Sequence, residues 1–235
     1  MKRNLFFLIS SIIMIIVVII GFTPSLIFRS YFNDNQLPTL LIVHGIINIS
    51  WFALLIYQSW GVYRNKIINH KKMGLWGFTL AAIIILMNFL IIYGVTQKYH
   101  SGEYSLQAAA GLSLGNFVGY VTYSIILILA YFYKNKPAYH KRLIYIFSLS
   151  LVGFASDRIG RNMLTFTDDI GIKGIVMGFM FHFAFIIALI IYDIRTRRKP
   201  HFLSILGFFV PVFNIGLIFY LLGNGYGELF LNFFK

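Results

Sequence analysis

Apolar residues gather into seven long blocks, at about 5–27, 38–62, 73–95, 110–133, 143–161, 173–194 and 202–223. Polar and charged residues are held mostly in the short segments between them. A hydrocarbon core about 30 Å thick takes about 20 residues of helix to cross, and every block is close to that length or longer. The pattern predicts an all-α membrane protein of seven transmembrane helices, forming a single polytopic domain over residues 1–235. The first block follows Met1-Lys2-Arg3-Asn4. It exceeds the apolar stretch of about 7–15 residues in a secretory signal and is not followed by Ala-x-Ala, so a retained helix is expected. Gly111, Gly115 and Gly119 leave a stripe without side chains on the fourth block, where a helix or a flat ligand can approach closely. Pro211 predicts a kink in the seventh.

Composition agrees with this pattern. Hydrophobic residues make up 59% of the chain and charged ones 11%, against about 25% charged in a soluble domain. There are too few polar residues to form a water-facing skin. The net charge of +13 could suggest nucleic acid, but its distribution argues against that. With the N-terminus in the cytoplasm, 14 of the 20 basic residues fall on the inner side and six of the seven acids on the outer. The whole positive excess is then the loop asymmetry of an oriented membrane protein. The expected localisation is a bacterial cytoplasmic (inner) membrane, multi-pass, with the C-terminus outside. The lipid bilayer is the expected partner, nucleic acid is not, and the sequence specifies no redox or membrane-protein partner.

The chain has no cysteine. Thiol catalysis, disulfides, thiolate-held iron–sulfur clusters and covalent haem attachment are therefore excluded. The seventh block holds no lysine for a retinal Schiff base, and the chain has neither a P-loop nor His-Glu-x-x-His.

Candidate chemistry rests on histidine. His44, Asn48, Trp51, Leu55 and Gln58 fall on one helical face, and Asn88 shares a face with His70 five turns earlier. Polar groups in lipid need partners, so Asn48, Trp51, Gln58 and Asn88 predict a polar interior stripe. His70 and His140 match in depth near the cytoplasmic face, and His44 and His182 roughly match toward the outer face. Two such pairs have the residue types that hold haem b iron axially. Arg158 and Arg161 are candidate contacts for a propionate or another anion, with Asp157 and Arg161 spaced for pairing. Asp193 and Arg197 have the same spacing at the inner end. The alternative is structural histidines, with interfacial ones bonding headgroups or water. His100 and His201 fall in loops and are expected to be solvated.

An internal echo involves two of the candidates. Tyr63-Arg64-Asn65-Lys66-Ile67-Ile68-Asn69-His70-Lys71-Lys72-Met73 resembles Tyr133-Lys134-Asn135-Lys136-Pro137-Ala138-Tyr139-His140-Lys141-Arg142-Leu143 at a constant offset of 70. Helices two–three and four–five thus read as a parallel repeat. His70-Lys71-Lys72-Met73-Gly74 and His140-Lys141-Arg142-Leu143, with Arg158 and Arg161, resemble a family of bacterial predicted membrane proteins without a settled activity. Its members carry paired His-Arg-x-x-Gly and His-Arg-Arg helix-opening motifs. A looser resemblance is to the ascorbate-reducible b-type cytochromes, which implies four core helices and paired haem ligands near both faces. Ile144 stands where a second glycine would complete that pattern. The expected function is a b-type haem-binding or electron-transfer protein. The alternative is a non-enzymatic transporter, sensor or membrane assembly factor.

Overall fold

The computed structural model describes residues 5–28, 37–163 and 170–235, with side chains at 25, 27, 161–163 and 170–175 outside that description. Among the described residues there are eight α-helices and no strand. They are α1 (Phe6–Phe22), α2 (Thr39–Tyr63), α3 (Ile67–His100), α4 (Leu106–Phe132), α5 (Pro137–Met163), α6 (Ile170–Arg197), α7 (Phe202–Gly223) and α8 (Tyr226–Phe233). Six of these, α2 to α7, contain segments long and apolar enough to cross a membrane. Their outward faces carry large apolar side chains such as Leu86, Leu90, Phe209 and Phe213. Such a surface suits lipid, and the chain is a helical, multi-pass membrane protein.

The first expected span differs in form. α1 has 17 residues and leads into a π-helical turn, Thr23–Ile27, with Pro24 near its start. Proline has no N–H to donate, so the regular ladder loosens there.

α5 is the central helix. It packs on α1, α4, α6 and α7, while α2 is flanked by α1 and α3. Contact is closest where glycine removes a side chain. A Cβ on Gly21 of α1 would lie 2.3 Å from the Ala155 carbonyl oxygen of α5. One on Gly207 of α7 would meet Ile146 and Ile186 at 2.9 Å. The stripe at Gly111, Gly115 and Gly119 is different: nothing described lies within 4 Å of a Cβ at any of the three.

The C-terminal α8 was not expected from the apolar pattern. Gly225 turns the chain in the left-handed region (φ 77°), which glycine adopts without steric cost. Leu231 is then buried, and Gln97 Nε2 and His100 Nε2 donate to the carbonyls of Phe234 and Leu231, each at 3.2 Å. His100 is thus a tie between helices rather than a solvated loop residue.

Candidate functional site

The two echoed segments fold alike. α3 starts at Ile67 and α5 at Pro137, so His70 and His140 are each the fourth residue of a helix. Each backbone N–H donates to the lysine four residues earlier, Lys66 or Lys136, at 3.0 Å. Asn65 makes the first turn in the left-handed region (φ 57°). Pro137 opens α5, where the missing N–H costs no helical bond.

The two imidazoles lie edge-on to one another, with ring centroids 6.4 Å apart and planes at 81°. His140 Nδ1 donates to the Ala130 carbonyl at 2.9 Å. That bond leaves the Nε2 lone pair available, the usual arrangement of a metal-ligating histidine. His70 Nδ1 and Gln58 Oε1 are buried without partners. Two cavities, of about 200 and 70 Å³, share Leu55, Gln58, His70, His140 and Ile144 as lining. Gly74 lines the smaller one, and a Cβ there would meet nothing nearer than Gln58 Nε2 at 4.0 Å.

The ring separation can be compared with the reach of two imidazoles on one metal ion. With a metal–nitrogen bond of about 2.0–2.1 Å and a centroid about 1.1 Å beyond, trans imidazoles stand about 6.3 Å apart and tetrahedral ones about 5 Å. At 6.4 Å the two rings are close enough that His70 and His140 would be the residues to hold one haem iron between them. The cavities are small beside the 300–1,000 Å³ typical of ligand sites. Leu55 and Ile144 line both, so a flat ring between the histidines would have to displace them.

The polar stripe of α2 continues toward the opposite end of the bundle. Trp51 Nε1 donates to Ser148 Oγ of α5 at 3.1 Å and packs edge-on against Phe147. Beyond it, His44, Asn48, Asn88, Asn116, Asp157 and Arg158 line a second cavity of about 380 Å³. Arg158 therefore lies with His44, and its guanidinium sits 4.3 Å from the Phe22 ring centroid. The Arg161 side chain lies outside the described residues. At the His70–His140 end the nearby cation is Lys141, which lines the larger cavity and donates to Tyr192 Oη at 3.2 Å.

His44 and His182 are held apart by their partners. His182 is buried, and its Nε2 donates to the Gly207 carbonyl of α7 at 3.2 Å. Gly207 stands four residues before Pro211, whose ring nitrogen cannot donate to it. His182 thus satisfies the carbonyl that the proline leaves open. Knowing which helix neighbours α6 would have been needed to foresee this.

A polar cluster where the start of α5 meets the end of α6 was also missed. Arg142 and Asp193, 1% and 0% exposed, form an ion pair across α5 and α6. Asp193 Oδ2 further accepts from Arg142 Nε at 3.1 Å, Ser204 Oγ at 2.6 Å and the His201 N–H at 3.2 Å. Asp193 therefore pairs with Arg142 rather than with Arg197. His201 is buried too, and its Nδ1 accepts from Leu203 N at 3.1 Å, capping α7. Burial, with the Arg142 and Arg197 charges, holds the His201 imidazole below its ordinary 6.5 against the pull of Asp193.

Comparison with protein-family models, with curated proteins and with solved structures finds no match to this chain.

Proposed function

We propose that the chain is a b-type haem-binding protein of a bacterial cytoplasmic membrane, with one haem held between His70 and His140. The observation that carries this reading is the imidazole pair at 6.4 Å, with the His140 Nδ1 proton engaged by the Ala130 carbonyl. Bound there, haem supplies reversible one-electron chemistry. Within the chain, the Ala130 carbonyl fixes the tautomer and aim of His140. Gly74 keeps side-chain bulk away from the site, and Lys141 offers a cation to an acidic group at its edge. The looser resemblance to the ascorbate-reducible b-type cytochromes supports the same reading. With His182 Nε2 engaged by the Gly207 carbonyl, no second bis-histidine haem is proposed.

The proposed topology has seven crossings, with the N-terminus in the cytoplasm and the C-terminus outside. α1 and the π-turn together run from Phe6 to Ile27. At about 1.5 Å per residue, 22 residues reach about 33 Å, enough for a bilayer core. A reporter active only in the cytoplasm, fused after Lys235, is expected to stay silent; a signal would remove α1 from the count of crossings.

The cofactor is tested by the absorbance of protein purified from haem-replete cells and reduced with dithionite. A Soret band with sharp α-bands is expected, lost in His70→Ala and His140→Ala and kept in His44→Ala and His182→Ala. Folded wild-type protein without a Soret band would sink the reading.

A further inference from the structure

The cavity at the opposite end of the bundle contains an imbalance of hydrogen-bonding groups. Asn48 Nδ2 donates one hydrogen to the His44 carbonyl at 2.7 Å and presents the other to His44 Nε2 at 3.1 Å. Nε2 therefore carries the lone pair, and the proton of the neutral imidazole sits on Nδ1. That Nδ1 is buried without a partner. So is Nδ2 of Asn88, whose residue is 1% exposed. Among the described residues, two N–H donors at the wall of one cavity thus lack acceptors, whereas the Asn116 amide donates to the Leu112 carbonyl at 2.8 Å. Buried donors are almost always paired, with protein, water or ligand.

The remaining lining constrains what could pair with them. Asp157 and Arg158 both face the cavity, so it has no excess charge to neutralise an ion. Phe22, Phe52, Tyr120 and Phe154 are among its walls, with Tyr120 and Phe154 stacked at 19°. Its volume of about 380 Å³ lies within the usual range for a small organic ligand. It shares His44, Phe22, Leu41 and Arg158 with a neighbouring cavity of about 620 Å³ lined largely by apolar side chains of α1, α2 and α3.

We infer that this cavity binds a neutral, flat, lipid-soluble ring compound bearing carbonyl oxygens, the quinone class. Its oxygens accept from His44 Nδ1–H and Asn88 Nδ2–H, and its ring lies among the aromatic walls. The site does not depend on the haem reading, since it shares neither histidine with it.

The test is calorimetric binding of decyl-ubiquinone and of menadione to the full chain in lipid nanodiscs. Saturable one-to-one binding is expected, weakened at least tenfold in Asn88→Leu and in His44→Leu. Asn88→Leu keeps the size of the side chain and removes an unpaired N–H, so its thermal midpoint is expected to hold or rise. Lost binding there is then not lost folding. His70→Ala is expected to bind both quinones like the wild type, which separates this site from the haem site. Absence of saturable binding, equal affinity in Asn88→Leu, or preference for benzoate over both quinones would each overturn the inference.

Discussion

Pro211 deprives the Gly207 carbonyl of its helical donor, and His182 supplies another from α6 at 3.2 Å. The two side chains are therefore expected to be coupled. His182→Leu should destabilise the protein by about 1–3 kcal/mol, because a buried carbonyl loses its partner. In a Pro211→Ala background the restored N–H takes that place, and the same change should cost less. Reversible unfolding of the four proteins in detergent measures the difference. Asp193 presents a second case at this scale. Removing Arg142 alone, as Arg142→Met, leaves a buried carboxylate without its cation and should cost about 3–5 kcal/mol. Arg142→Met with Asp193→Leu should recover much of the loss. His201 adds a pH dependence. Its folded value lies below 6.5, so the unfolded chain takes up the proton first as pH falls. Stability is full above about pH 6.5 and declines below it until the folded imidazole also titrates. His201→Asn keeps a capping side chain without the titration, and its thermal midpoint should fall less between pH 7 and pH 5.

Between helices, the glycines divide by what they face. Gly21→Ala places a methyl carbon against the α5 backbone at Ala155 and should cost about 1–3 kcal/mol. Gly115→Ala meets nothing within 4 Å and should gain about 0.5–1 kcal/mol from helix propensity. Thermal melts of both variants check the opposite signs. This contrast also shows where sequence reading stops. A run of glycines every four residues marks a smooth face but not whether a neighbour lies on it. The apolar blocks were legible because span length is a local property, and the block at 202–223 coincides with α7. The echo of His70 and His140 was legible because each loop sets its own helix start. His44 and His182 were matched by depth alone, but depth does not say which helices adjoin. Arg142 looked like one more headgroup lysine or arginine because its partner, Asp193, is 51 positions away. α8 was missed because eight residues are too few to register as an apolar block.

Across the whole molecule, the two cavities are separated by a layer in which Ala81 and Ile84 of α3 are fully buried. On α5 the lining of the His70–His140 cavities ends at Tyr145 and that of the His44 cavity begins at Leu151; on α3 the limits are Phe78 and Asn88, on α1 Met14 and Val18, and on α2 Trp51 lines the one side and Phe52 the other. At about 1.5 Å per residue the layer is about 6 Å thick on α1 and about 9–15 Å on α5 and α3, against about 30 Å for the lipid beside it, and on α2 it narrows to the Trp51 and Phe52 side chains. If water fills both cavities, an applied membrane voltage drops mainly across this septum, in a field at least about twice as steep as in the surrounding bilayer. A charge arriving at His70 or His44 then crosses little of that voltage, whereas one passing Trp51 crosses nearly all of it.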